Sequence, residues 1–127
     1  MTKKPTVLIV EDADLLLEVT IDAFQDAGYA TIAASTGEQA LSILEDADTI
    51  DLLLTDIRLP GTIDGWDIAE RARARLPALP VIYVTGYSAV EPRRVEGSLL
   101  FLKPCRSSKL LDAAQSLGVG PGWAGLA

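Results

Sequence analysis

Histidine is absent from this 127-residue sequence, and cysteine occurs only once, as Cys105. The chain therefore lacks the imidazoles and paired thiolates from which most protein zinc sites are built. A single cysteine cannot form a disulfide within one chain, which agrees with a reducing compartment. We interpret Cys105 as a small packed side chain without a chemical role. Any metal site or nucleophile must then be built from carboxylates, hydroxyls and amines.

Long apolar runs and long basic runs are also missing. The longest apolar stretches, residues 7–10 and 80–84, are far shorter than the roughly 20 residues that a membrane span requires. Only four consecutive apolar residues precede Glu11, too few for the core of a signal peptide. The net charge is −7, so the basic surface that nucleic-acid binding needs is lacking. We therefore expect a cytoplasmic protein that binds neither nucleic acid nor a membrane.

The composition fits one globular domain. Hydrophobic residues make up 49% of the chain and charged residues 23%, and domains with one core usually have about 100–150 residues. At this length we expect no second folded output domain. Only residues 118–127, which are rich in glycine, are biased in composition. We predict one domain over residues 1–118 and a flexible tail containing Gly and Pro over residues 119–127.

Short apolar segments alternate with longer helical patterns along the chain. We predict strands at residues 6–10, 29–34, 51–55, 80–84 and 99–102. We predict helices at residues 14–27, from about 36 onward, at 65–76, weakly at 88–96, and from Ser107 or Ser108 to Gly118. Each connection is too long for a hairpin, so the strands should be parallel with helices on both faces. The predicted class is a doubly wound α/β fold, whose ligand site lies beyond the carboxyl ends of the strands.

Polar side chains follow four of these strands at the point where each strand ends. They are Glu11 and Asp12 after the first strand, Asp56 after the third, Thr85 after the fourth and Lys103 after the fifth. In a parallel sheet these ends meet at one rim, where three carboxylates repel one another. With one ammonium the formal charge is −3 + 1 = −2, which a divalent cation neutralises. Oxygen ligands without histidine or a cysteine cluster favour Mg²⁺, with Mn²⁺ as a substitute, and disfavour zinc.

The same set of residues predicts an acceptor of a phosphoryl group. Asp56 can attack phosphorus because the metal and Lys103 neutralise the charge on the transferred oxygens. Thr85 offers a hydroxyl to those oxygens, and the missing side chain at Gly86 leaves room for them. Taken singly, each residue has an ordinary structural explanation, such as a charge near a helix N-terminus, a turn or a surface lysine. Their order along the chain favours a shared site.

The sequence resembles the response-regulator receiver family over about residues 5–117. The resemblance rests on four motifs in the family's order, namely VLIVED at residues 7–12, LTDIRLPG at 54–61, VTG at 84–86 and KP at 103–104. Residues 82–88 and 102–104 are most similar to receivers of hybrid sensor kinases and their free-standing relatives. The resemblance implies a flavodoxin-like, five-stranded parallel sheet in the order 2-1-3-4-5.

The resemblance also implies a role for each residue at the rim. Asp56 is expected to be the phosphorylated residue, in a phosphoryl site that Thr85 and Lys103 complete. The expected Mg²⁺ ligands are Asp12, Glu11 through a water, Asp56 and the backbone carbonyl of Arg58.

The implied function is that of a single-domain response regulator, a phosphoacceptor signalling domain and not an enzyme. The donor is expected to be a phosphohistidine on a histidine kinase or a histidine phosphotransfer protein, and a chain without histidine needs a separate protein to supply it. The expected output is a phosphorylation-dependent contact with a downstream protein. The alternatives are a phosphorelay intermediate or phosphate sink without a conformational output, and a receiver excised from a hybrid histidine kinase.

Some features depart from the family pattern. The switch aromatic expected three residues before the lysine is replaced by Leu100, with Phe101 next to it, which leaves aromatic coupling to Thr85 open. The loop at residues 60–65 is one residue longer than the commonest form. The family's output face would include four basic residues that are candidates to contact an acidic partner, namely Arg93, Arg94, Arg106 and Lys109.

Other classes of protein are disfavoured. A pure interaction module has no use for a complete acceptor set. A flavodoxin-like electron carrier needs a phosphate loop after the first strand, where Glu11 and Asp12 would repel the flavin phosphate. A dehalogenase-type phosphatase has a second aspartate two residues after its nucleophile, but Arg58 stands there.

Overall fold

Five parallel strands form one sheet in the computed structural model, which describes residues 4–46, 49–86 and 93–121. The strands are β1 (Thr6–Val10), β2 (Ala30–Ala34), β3 (Leu52–Asp56), β4 (Val81–Thr85) and β5 (Leu99–Leu102). Their order across the sheet is β2-β1-β3-β4-β5, so the predicted doubly wound fold is confirmed. The register places Val10 beside both Ala34 and Thr55, which aligns the carboxyl ends of the central strands along one edge.

The described residues contain four helices, of which the first three connect successive strands and the last follows β5. They are α1 (Asp14–Asp26), α2 (Gly37–Asp46), α3 (Gly65–Arg75) and α4 (Ser107–Ser116). The weak helix predicted at residues 88–96 lies partly outside the described residues. Residues 93–95 have no regular secondary structure, and residues 96–97 form a turn. No helix in the described parts of the chain is long and apolar enough to cross a bilayer.

Both faces of the sheet are buried, which explains the unbroken hydrophobicity of β1. Leu8 and Val10 pack with α2 and α3, whereas Val7 and Ile9 pack with α1 and α4. All four side chains are at most 1% exposed. Full burial of an aliphatic side chain of this kind contributes about 1.5–3 kcal/mol to the stability of the fold. β1 is therefore held rigidly beneath the residues that follow it.

Side-chain caps set the starts of α2 and α3. Thr36 Oγ1 accepts a hydrogen bond from the Gln39 amide at 3.1 Å, and the Gln39 side chain accepts one from the Ser35 amide at 2.8 Å. At α3, Asp64 and Asp67 form a complete capping box with hydrogen bonds of 2.9 and 3.1 Å. These caps fix both helices beside the loop that follows β3.

The segment after α4 packs against the turn between α1 and β2. Gly118 ends α4 with φ +86°, a conformation that glycine adopts without strain. Val119 is buried, and its carbonyl accepts a hydrogen bond from the Tyr29 hydroxyl at 2.6 Å. A Cβ placed on Gly28 would lie 3.1 Å from Pro121 Cγ. Of the tail predicted from residue 119, residues 119–121 are thus packed on the domain, and residues 122–127 lie outside the described residues.

Candidate functional site

The predicted acceptor residues lie at the carboxyl edge of the sheet. Glu11 and Asp12 follow β1, Asp56 ends β3, Thr85 ends β4 and Lys103 follows β5. One carboxylate oxygen from each of the three acids lies within 4.8 Å of the other two. Glu11 and Asp56 are buried, whereas Asp12 is exposed. A cation that enters from solvent on the Asp12 side can therefore meet all three carboxylates.

Lys103 bridges two of the three carboxylates. Its Nζ donates a hydrogen bond to Glu11 Oε1 at 2.8 Å and another to Asp56 Oδ2 at 2.7 Å. The remaining oxygens accept hydrogen bonds from the backbone: Glu11 Oε2 from the Ala13 amide at 3.0 Å, and Asp56 Oδ1 from the Ile57 amide at 2.8 Å. These two amides are contributions that the sequence analysis missed, because they depend on local backbone geometry. Together the contacts hold both buried carboxylates in one orientation.

The electrostatics of the rim follow from burial and from these contacts. Burial raises the pKa of Glu11 above its ordinary value, although the hydrogen bonds from Lys103 and Ala13 oppose the shift. Burial lowers the pKa of Lys103, but its hydrogen bonds to Asp56 and Glu11 outweigh this effect and leave the pKa raised. Lys103 is therefore an ammonium at neutral pH. With all three acids ionised, the formal charge is −3 + 1 = −2.

Thr85 and Arg58 flank the carboxylates. Thr85 is 2% exposed, and its carbonyl accepts a hydrogen bond from the Lys103 amide at 2.7 Å. This bond ties the end of β5 to the end of β4 beside the acceptor. Arg58 lies two residues after Asp56, on the loop that leads to α3, and its side chain is exposed.

A cavity of about 450 Å³ opens beside the rim. Glu11, Asp56 and Lys103 contribute charged groups to its wall, and the apolar part of the wall comes from β1, β3 and β4 and from Leu16 of α1 and Leu110 of α4. Cys105 also lines the cavity, and burial raises the pKa of its thiol despite the nearby charge of Lys109. A thiol with a raised pKa stays protonated at neutral pH, which agrees with the absence of a predicted role. The cavity leaves room for a small group beside Asp56.

The donor set at the rim fits a hard divalent cation. Three carboxylates offer oxygen ligands, and no histidine exists in the chain to favour zinc. The family model of the response regulator receiver domain matches residues 7–115. The chain belongs to this family. Receiver domains are phosphoacceptor signalling domains and not enzymes of the usual kind, they bind Mg²⁺ at an acidic site, and histidine kinases are their phosphodonors.

Curated relatives and solved structures agree with this assignment. The response regulator protein FleR of Pseudomonas aeruginosa is 34% identical over 122 residues, which are 91% of this chain and 25% of FleR. The alginate biosynthesis transcriptional regulatory protein AlgB of the same species is 33% identical over 122 residues, which are 92% of this chain and 27% of AlgB. The receiver thus spans about a quarter of these relatives.

Two solved structures show the same fold at similar identity. The response regulator receiver protein of Sinorhizobium medicae WSM419 superposes with a TM-score of 0.87 at 33% identity, covering 91% of this chain and 94% of that one. The receiver domain of the hybrid histidine kinase CckA superposes with a TM-score of 0.76 at 34% identity, covering 88% and 97%. Receivers of response regulators and of hybrid kinases are therefore both among the relatives.

An aromatic side chain lies next to the position at which the receiver lacks its expected switch aromatic. Leu100 of β5 is the register partner of Tyr83 in β4, and Tyr83 lies two residues before Thr85 on the same face of the strand. The Tyr83 hydroxyl accepts a hydrogen bond from the Val95 amide at 3.2 Å, and its ring lies 4.8 Å from the Trp66 ring. Tyr83 was not predicted as part of the site, because the family pattern places the switch aromatic in β5.

The candidate output residues are partly engaged within the receiver itself. Arg93 forms ion pairs with Asp67 at 3.1 Å and with Glu70 at 2.6 Å. The capping amide of Asp64 and then Arg93 lower the pKa of Asp67. Lys109 Nζ lies 5.9 Å from the centroid of the Phe101 ring. Arg93 therefore ties the chain after β4 to α3 and is not an unpaired contact for an acidic partner.

Proposed function

We propose that this receiver accepts a phosphoryl group on Asp56 from a phosphohistidine. The observation that carries the proposal is the pairing of Lys103 with Glu11 and Asp56 beside Asp12, since this arrangement joins a nucleophile to the charges that phosphoryl transfer needs. An oxygen of Asp56 forms a bond to phosphorus while the bond between phosphorus and the donor's imidazole nitrogen breaks. The electron pair of the broken bond stays with the imidazole.

The residues around Asp56 would stabilise the transferred phosphoryl group and orient the acceptor carboxylate. Lys103 moves its positive charge from the carboxylate toward the transferred phosphoryl oxygens, and the Thr85 hydroxyl donates to one of them. The Ile57 amide holds the second carboxylate oxygen at 2.8 Å, so that the acceptor keeps one orientation. These roles make the domain a phosphoacceptor that at most catalyses its own phosphorylation and dephosphorylation.

The metal that fits this site is Mg²⁺, with Mn²⁺ as a substitute. Glu11, Asp12, Asp56 and the backbone carbonyl of Arg58 would hold it, Glu11 through a water. When bound, the ion supplies two positive charges, which cancel the formal charge of −2 at the rim.

These 127 residues contain no histidine, so the phosphohistidine that donates the group lies outside them. We propose a histidine kinase or a histidine phosphotransfer protein that covers the rim during transfer. Leu15 is 76% exposed and Val19 is 50% exposed in the first two turns of α1, directly after Asp12. These apolar side chains suit a contact with such a donor. We propose no nucleic-acid partner, because a net charge of −7 repels phosphates, and we place the receiver in the cytoplasm.

A direct test is incubation of the purified protein with acetyl phosphate. In the presence of Mg²⁺ or Mn²⁺ we expect the intact mass to increase by one phosphoryl group, and we expect no increase after chelation with EDTA. Hydroxylamine should remove the added group, because it cleaves acyl phosphates and leaves phosphate esters intact. An unchanged mass at saturating Mg²⁺ would contradict the proposed function.

The second candidate function is a phosphate sink or phosphorelay intermediate without a conformational output. The same chemistry would also serve a receiver that belongs to a hybrid kinase, like that of CckA. Leu100 in place of the switch aromatic favours the sink, whereas the Tyr83–Val95 hydrogen bond offers a route for a switch. Beryllofluoride, a phosphoryl mimic, separates the two. A switch should move the Val95 and Arg93 amide resonances, whereas a sink should change only those within the rim.

A further inference from the structure

The loop between β3 and α3, residues 57–64, is here called the acceptor loop because it begins directly after Asp56. Its far end is closed by Gly65, whose amide donates a hydrogen bond to the Ile57 carbonyl at 2.8 Å. A Cβ placed on Gly65 would lie 2.2 Å from the Asp56 carbonyl oxygen and 2.8 Å from Ile57 Cα. Both neighbours are backbone atoms, so no rotamer change can relieve the overlap. Any side chain at position 65 must displace the backbone of Asp56 itself.

A second glycine, in α2, packs closely against the same loop. A Cβ placed on Gly37, the first residue of α2, would lie 2.5 Å from the Ile63 carbonyl oxygen. It would also lie 2.7 Å from both Ile63 Cβ and Ile63 Cγ2. Gly37 is buried, and the Thr36 cap fixes the helix that carries it. The end of the acceptor loop therefore rests directly on the backbone of α2.

The overlap is most severe at Gly65 and Gly37: a Cβ on Gly61 or Gly28 would lie 3.0 Å from Glu38 Oε2 or 3.1 Å from Pro121 Cγ, and both of those are side-chain atoms. At Gly86, beside Thr85, a Cβ would be 3.8 Å from Lys103 Cδ, which is an ordinary contact. Packing of the receiver against itself thus does not require glycine at position 86. It does require glycine at positions 37 and 65, which lie at opposite sides of the acceptor loop.

We propose that Gly65 and Gly37 are positioning residues that fix the acceptor loop, and through it the Asp56 carboxylate and the Arg58 carbonyl. The link to the acceptor is the hydrogen bond from the Ile57 amide to Asp56 Oδ1, because a shift of the backbone at residues 56–57 turns the carboxylate. Residues that orient metal ligands typically change metal affinity or activity by about 10- to 100-fold. The inference rests on the proposed function of Asp56 as acceptor and metal ligand.

The test compares Gly37→Ala and Gly65→Ala with Leu44→Ala. Leu44 is buried near the C-terminal end of α2, and its truncation removes core contacts and lowers stability without introducing any overlap with the acceptor loop. At a temperature where circular dichroism shows each protein folded, we expect both glycine variants to bind Mg²⁺ at least about tenfold more weakly than wild type. We expect Leu44→Ala to melt at a lower temperature and to bind Mg²⁺ within about twofold of wild type.

A metal-free readout accompanies the titration. The Ile57 amide resonance reports its hydrogen bond to the Asp56 carboxylate, so it should move in both glycine variants and stay in place in Leu44→Ala. Adding Ile63→Gly to Gly37→Ala removes two of the three crowded atoms and should recover part of the lost Mg²⁺ affinity. If Gly65→Ala does not fold, the Mg²⁺ affinity of Gly37→Ala tests the proposal alone, because its Cβ would overlap Ile63 and not the backbone of Asp56.

Folded glycine variants with wild-type Mg²⁺ affinity and an unmoved Ile57 amide would overturn the proposal. So would a loss of affinity in Leu44→Ala as large as in the glycine variants. Failure of the proposed function looks different, because wild type would then itself bind no Mg²⁺ and take no phosphoryl group from acetyl phosphate.

Discussion

Asp56→Asn should take up less than about 1% of the phosphoryl groups that wild type takes up from acetyl phosphate and Mg²⁺. The amide oxygen of asparagine is a poor nucleophile, and the substitution also removes one negative charge from the rim. Asparagine still offers an oxygen to the Ile57 amide, so the acceptor loop keeps its hydrogen bond. Intact-mass spectrometry over a time course measures the loss.

Asp112→Asn is the matched control for this result. Asp112 is an exposed residue of α4, and its substitution changes the net charge by the same amount without touching the rim. It should take up the phosphoryl group at the wild-type rate. Rapid labelling of Asp56→Asn on another carboxylate would show that Asp56 is not the acceptor.

Lys103→Met should reduce the phosphorylation rate by about 100-fold or more, since loss of one donor that stabilises transition-state charge typically has this effect.

The same substitution should destabilise the metal-free receiver by about 2 kcal/mol at neutral pH, because it deletes two charge-assisted hydrogen bonds and leaves three carboxylates without an ammonium. Urea unfolding with and without Mg²⁺ measures the second effect. Mg²⁺ should recover part of the lost stability, because the ion replaces the missing positive charge.

The stability that Lys103→Met loses relative to wild type should increase with pH. The pKa of Glu11 is already raised in the folded wild type, and removal of Lys103 raises it further because two contributions that lower it are lost. A carboxyl group with a raised folded-state pKa loses its stabilising contribution as the pH rises through that pKa. The difference between Lys103→Met and wild type should thus be small near pH 4 and large near pH 8. Lys109→Met, a charge control in α4, should show no such trend; equal losses in both variants would contradict the assigned contacts.

The residues of the rim could be predicted from the sequence because their proximity depends only on the positions of the strand ends in a parallel sheet. Each candidate residue follows an apolar run, and a parallel sheet brings the ends of such runs together whatever the details of the loops. Lys103 and Glu11 are 92 positions apart, yet their proximity follows from the sheet alone. The same reasoning gave the strand ends to within one residue, since burial on both faces makes those segments uniformly apolar.

Features that depend on the path of a loop were not predictable in this way. The ion pairs of Arg93 with Asp67 and Glu70 join residues 26 and 23 positions apart, and no periodicity relates them. The Tyr83 hydroxyl bond to Val95 likewise depends on where the chain returns after β4. The role of Gly37 was hidden because the sequence does not indicate that Ile63 will rest on it.

The hydrogen bond between Tyr29 and Val119 lies at the end of the sheet opposite the carboxylates. Val119 and Gly118 line a depression there with Lys4 and Pro5, at the amino ends of the strands. A fluorophore or surface tether attached at Lys4 or Pro121 would therefore point away from the acceptor. Immobilised in that orientation, the receiver would present its open rim to a kinase in free solution.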